Sequence, residues 1–249
     1  MKKIALSLAA LVICVTMHAG GYVYNTTLFR PDDAQDDRDD MFDLDHHYAY
    51  TWGISSTSSG LSYSQLKDQL KAGSGWSVSS VTITFKDIWD WVAEPNDRLW
   101  VNLLDTDYTT AHSGKDLKKG ITSIVDNADD IESNLPGSNY FNNQGTAIGY
   151  WTDPNGGKES LKTNVTFTFN ATQISALCTY INNGGATSGS TGYADFGFAF
   201  DPDCHYYNTG IEVKVVTKRY YVPDGGISVA FFGAGLLALA GLRRLHRRR

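Results

Sequence analysis

Apolar and polar residues alternate with a period of two along several short stretches, and that period predicts strands. Leu44, His46, Tyr48, Tyr50 and Trp52 alternate with Asp45, His47, Ala49 and Thr51. Val81, Ile83 and Phe85 alternate with Thr82, Thr84 and Lys86, and Leu99, Val101 and Leu103 with Trp100, Asn102 and Leu104. Val165, Phe167 and Phe169, then Phe196, Phe198 and Phe200, and last Ile211, Val213 and Val215 repeat the pattern. Two stretches break it. SYSQLKDQLKAG reads as a short helix ending at Gly73, and ATQISALCTYI as another with Thr172 as its cap. Turn-rich segments such as Glu94-Pro95-Asn96-Asp97, SNYFNNQGTAIG and NNGGATSGSTG separate the elements. Many short strands with one apolar face predict an all-β fold of two packed sheets, a jelly-roll-like β-sandwich with one or two short helices.

The two ends follow a different pattern. Met1-Lys2-Lys3 and the apolar run Ile4–Val15, followed by Ala19, Gly20 and Gly21, read as a signal peptide over 1–19. At the other end, Ile227–Leu242 is a run of 16 residues without a charge, and Arg243, Arg244, Arg247, Arg248 and Arg249 follow it. This reads as a slightly short membrane span, 227–242, with a cytoplasmic basic flank, 243–249. Between the ends lie an acidic lead-in over 20–42, containing PDDAQDDRDD, and one β-sandwich ectodomain over 43–221.

Removing the ends changes the charge balance. Residues 20–222 keep 14 of the 21 basic and 26 of the 27 acidic residues, a formal charge of about −12. Such a surface repels nucleic acid and suits cations. With Cys14 assigned to the signal, Cys178 and Cys204 remain as an even pair in an exported domain. A disulfide between them is expected; two free thiols are the alternative.

Val222-Pro223-Asp224-Gly225-Gly226, the apolar run and the arginines together resemble the C-terminal sorting signals of bacterial exosortase substrates. The closest likeness is to the VPDSG-CTERM branch of the PEP-CTERM group, with Gly225 where that branch often has serine. Segments 43–54, 82–105 and 196–215 also resemble ectodomains found with such tails. The resemblance implies export by the secretion machinery and cleavage near 222–226 by an exosortase-like membrane transpeptidase. It also implies delivery to the cell surface or extracellular polysaccharide matrix. A single-pass anchor that is never cleaved is the alternative for 222–249.

Candidate chemistry is sparse. Asp201 with Asp203, Asp105 with Asp107, and Asp43 with Asp45 are carboxylates two apart near strand ends, a spacing that suits calcium. Capping of local turns is the other use of such aspartates. Trp89, Trp91, Trp100 and Trp151, with Tyr206 and Tyr207, could stack on sugar faces if exposed, or fill the core if not. Zinc at His46, His47, His205, Asp203 and Cys204 is set aside, because neighbouring strand residues face opposite sides and Cys204 is assigned to the disulfide. No GxSxG elbow or Ser–His–Asp set is present. The expectation is a surface or matrix protein without catalysis, a glycan- or calcium-binding module in the sense of these motifs; a secreted carbohydrate-active enzyme on the same fold is the alternative.

Overall fold

The computed structural model describes residues 21–31, 41–54, 58–92, 97–105, 120–125, 139–183 and 196–221. The expected signal peptide, the sorting motif, the span, its basic flank and Asp107 lie outside the described residues. Among the described residues no helix is long and apolar enough to cross a membrane. The chain divides into two compact units, Met1–Val23 with Tyr220–Arg249, and Tyr24–Arg219. In the first, Tyr22 and Tyr220 meet edge to face at 5.3 Å.

The described strands are β1 (Gly21–Phe29), β2 (Asp43–Leu44), β3 (Tyr48–Ile54), β4 (Ser59–Gly60), β5 (Trp76–Asp90), β6 (Leu99–Asp105), β7 (Gly120–Val125), β8 (Thr146–Trp151), β9 (Thr163–Thr168), β10 (Phe196–Pro202), β11 (Tyr206–Tyr207) and β12 (Gly210–Tyr221). Two helices, α1 (Tyr63–Leu70) and α2 (Ala171–Asn183), join them. One sheet runs β2-β11-β5-β12-β1-β4, with β9 on the other edge of β5; the second runs β7-β3-β10-β6-β8. The strand pairs are antiparallel, so the all-β, sandwich-like expectation holds.

The alternation explains the core. Val81, Ile83 and Phe85 of β5 and Ile211, Val213 and Val215 of β12 are buried. They form one cluster with Trp52 of β3, Leu99, Val101 and Leu103 of β6, and Phe196, Phe198 and Phe200 of β10. Phe85 meets Phe200 edge to face at 5.4 Å, which carries the packing from one sheet to the other.

Three elements differ from the sequence reading. The lead-in begins with β1, whose Thr27 and Phe29 are buried, so residues 21–29 belong to the sheet. Part of the Asn/Gly-rich stretch is β8, held to β6 across a bulge. Helix α2 is capped by Asn170, not Thr172. The Gln173 amide donates to Asn170 Oδ1 at 3.0 Å, and the Asn170 amide to Gln173 Oε1 at 2.8 Å. That reciprocal pair is a capping box, and it satisfies two amides where a lone threonine satisfies one. Ser62 and Gln65 do the same for α1.

Two outcomes follow. Phe198→Ala removes a fully buried ring packed against Trp52 and should cost about 3–5 kcal/mol by chemical denaturation. On β12, Glu212 accepts from Arg30 Nε at 2.9 Å and Lys86 Nζ at 3.2 Å. The Arg30 guanidinium holds its carboxyl below the usual range despite partial burial. A depressed folded value stabilises above the unfolded value and is lost as pH falls through the folded one. Glu212→Gln should therefore lower stability by no more than about 1 kcal/mol near neutral pH. In acid the variant and the parent should unfold at the same denaturant concentration.

Candidate functional site

The site is built by one bulge in β5. Pairing of β5 with β9 shifts between Phe85 and Ile88. Within it Asp87 adopts φ +47°, a left-handed conformation uncommon for a side-chain-bearing residue. The Asp87 amide donates to Asn164 Oδ1 at 2.9 Å, and Thr209 Oγ1 donates to Asp87 Oδ2 at 2.8 Å. Before the bulge the odd residues Val81, Ile83 and Phe85 point inward; after it the even residues Ile88 and Asp90 do. An extra residue shifts every later side chain to the other face. A carboxylate is thereby buried, and Trp89 is turned out.

β11 and β2 extend this exchange across the sheet. Tyr207 pairs with Trp89 and Asp43, and Tyr206 with Asp90 and Leu44. On the outer side Trp89 stacks on Tyr207 at 4.8 Å and 24°, and Tyr207 stacks on His205 at 4.8 Å and 18°. Trp91, 55% exposed, meets His205 edge to face at 5.8 Å. His205 Nε2 is hydrogen-bonded to Asp43 Oδ1. Trp89 and Tyr207 also wall an open pocket of about 290 Å³, with Phe42, Asp87, Glu159 and Lys162 around it.

The inner side is acidic. Asp90, Asp97 and Cys204 are all buried, and one donor atom of each lies within 4.8 Å of the others. The Asp90 amide donates to Asp153 Oδ2 at 3.1 Å, and the Val92 amide to Asp90 Oδ1 at 3.1 Å. Burial pushes the Asp90 carboxyl up to about 6, against the Cys204 thiol and Val92 amide that donate to it; the Asp97 and Asp153 charges add to the rise. Burial also drives the Cys204 thiol up, helped by Asp90. Tyr206 is wholly buried, and among the described residues no group donates to or accepts from its hydroxyl. Burial, then the charges of Asp90, Asp97, Cys204 and Asp203, raises it.

The other sequence candidates are dispersed. Cys178 and Cys204 are free thiols, so the expected disulfide is corrected. Helix α2 carries Cys178 beside α1, which leads into the Trp76 end of β5, whereas Cys204 touches Asp90 at the other end. Asp201 and Asp203 take different roles. Asp201, buried, lies on the face of β10 opposite to Phe196, Phe198 and Phe200, where Oδ2 accepts the Tyr140 amide at 2.6 Å. Asp203, past the end of β10, acts on Tyr206. Asp105 ends β6 opposite Phe196.

The tryptophans also separate. The Arg98 guanidinium lies 5.2 Å from the Trp100 ring and 4.6 Å from that of Tyr150. Trp151 packs on Tyr206 at 5.8 Å. His46 and His47 lie in the turn before β3 rather than in the strand, so their rings come to 4.2 Å of each other instead of facing opposite sides. With Asp45 they form a second group of metal-ligand type. Burial, then the His47 charge, pushes the His46 imidazole down.

Sequence reasoning missed Asp90, Asp97 and the pocket acids Asp87 and Glu159. The signal was the run Asp87-Ile88-Trp89-Asp90-Trp91, in which acid and aromatic alternate at the end of a strand pattern.

The fold and site define a β-rich, sandwich-like domain with an aromatic outer row over a buried acid–thiol cluster. No protein-family model, curated protein or solved structure matches the chain.

The thiol assignment is directly measurable. Iodoacetamide under denaturing, non-reducing conditions should modify both Cys178 and Cys204, and in the native protein Cys178 should react first because Cys204 is the more buried. A peptide map recovering the two cysteines joined would contradict the structure.

Proposed function

We propose that this chain is an exported glycan-binding module, without catalysis of its own, presented at the cell surface or in the extracellular matrix. The row Trp89–Tyr207–His205–Trp91 beside the pocket carries this reading. Sugars offer C–H faces to aromatic rings and hydroxyls to flanking polar groups; Trp89 supplies the first and Asp87, Glu159 and Lys162 the second. A volume of 290 Å³ sits at the lower edge of the ~300–1,000 Å³ typical of small-molecule sites, which suits a sugar ring of a longer chain.

Export and sorting rest on the ends of the sequence. In this reading the secretion machinery recognises 1–19, the span 227–242 holds the precursor in the membrane, and an exosortase-like transpeptidase acts at Val222–Gly226. β12 leaves its unit at Arg219, paired with Trp76, at the end of β5 opposite Asp90. The strand order, in which β3-β10-β6 and β5-β12-β1 are neighbours though far apart in sequence, supports the jelly-roll reading.

A second reading, a carbohydrate-active enzyme, is favoured by Asp87 and Glu159 lining the same pocket, with Asp87 held in an uncommon backbone conformation. Both are tested together. Polysaccharides from the producing cell's matrix should bind in pull-down and calorimetry. Trp89→Ala should weaken binding by roughly threefold to tenfold, ~0.5–1.5 kcal/mol. No reducing ends should appear. Release of reducing ends that stops in Asp87→Asn establishes the enzyme instead, and binding indifferent to Trp89→Ala removes the glycan site. For the tail, Pro223→Ala with Asp224→Ala should leave full-length chain in the membrane, whereas mature protein from the parent should end near 222–226.

A further inference from the structure

We infer that Asp90, Asp97 and Cys204 bind a divalent cation of the zinc class, in a buried site to which the Tyr206 hydroxyl is turned as a fourth polar group. This site is separate from the glycan reading and stands without it.

Two observations carry it independently. The first is convergence: two carboxylates and a thiol from separate segments bring donor atoms within 4.8 Å of one another, all in buried residues. Burying such groups together is costly unless something compensates their charge. The groups acting most strongly on Asp90 are a thiol, an amide and two further carboxylates, none of them a cation. The second is Tyr206. Its side chain is 0% exposed and its hydroxyl unpartnered among the described residues; it pairs directly with Asp90 across β11 and β5, so the two side chains leave the same face, and Asp90, Asp97 and Cys204 are the groups whose charges act on it most. Buried hydroxyls normally find a partner. A bound ion, or a group bound to it, is a partner of the right kind in the right place.

The donor set selects the ion. Calcium takes six to eight oxygens. A buried site built from two carboxylates, one sulfur and one hydroxyl fits the four-coordinate habit of zinc, which accepts sulfur and carboxylate oxygen alike. Binding releases the Cys204 proton to solvent, since the sulfur ligates as thiolate. The consequence is mechanical. Asp90 ends β5 in one sheet, Asp97 precedes β6 in the other, and Cys204 sits in the turn between β10 and β11. An ion held by all three ties the two sheets together directly beneath His205 and Tyr207, fixing the base of the outer row.

The test uses the full chain with Cys14→Ser and Cys178→Ser, so that Cys204 is the only thiol. After chelation, zinc should raise the melting temperature, as any ligand of the native state must. Cobalt(II) should give the intense near-ultraviolet band of a thiolate ligand. Asp97→Asn should keep that band but weaken zinc binding by at least the roughly 10–100-fold seen for outer-shell partners. Cys204→Ser should abolish the band; if that variant does not fold, the band in the single-thiol parent decides alone. A single-thiol protein with neither zinc stabilisation nor a cobalt–thiolate band overturns the site. So does zinc affinity unchanged by Cys204→Ser, which would place the ion at Asp45, His46 and His47, and so does stabilisation by calcium but not by zinc.

Discussion

The bulge at Asp87 is the constraint on which the site depends. A strand has two faces and a side-chain period of two, so a single inserted residue exchanges everything beyond it. Without the insertion Trp89 would enter the core and Asp90 would meet water. The insertion is secured from both edges of β5, by Asn164 of β9 and by Thr209 in the turn before β12. Those neighbours compensate an aspartate backbone that would otherwise avoid a φ of +47°.

The two faces made this way do different physical work. Outward, Asp43, Tyr207 and Trp89 align in one row of the sheet, and His205 and Trp91 continue it in the loops. Inward, Leu44, Tyr206 and Asp90 form the row behind. Outside, the rings of Trp89 and Tyr207 take positions where water would normally favour charge, and inside, Asp90 takes one where it would normally favour carbon. That inversion is a departure from ordinary patterning, and such departures concentrate at functional sites.

The cysteines and histidines show how topology redistributes chemistry. An even pair of cysteines suggests a bond, yet one thiol rides on α2 and the other meets Asp90. Two adjacent histidines suggest opposite faces, yet a turn lets both rings approach Asp45. In each case the residue types were informative and their expected partners were not. Freed from a disulfide, Cys204 is available to the acids around it.

The sequence by itself determined the strand-rich character, the inward residues of β5 before the bulge, of β6, β10 and β12, and the positions of both helices. Local periodicity and capping chemistry set these, and both act within a few residues. It also marked the aromatic and acidic segments from which the site is made. Tertiary structure decided which of them meet. Trp89 and Tyr207 are 118 residues apart in sequence yet stacked, and Asp90 reaches Asp97 and Cys204 only because β5, β6 and the β10–β11 turn converge. Strand pairing over such separations depends on register, and the register here was set by a bulge whose left-handed aspartate no alternation of apolar and polar residues announces.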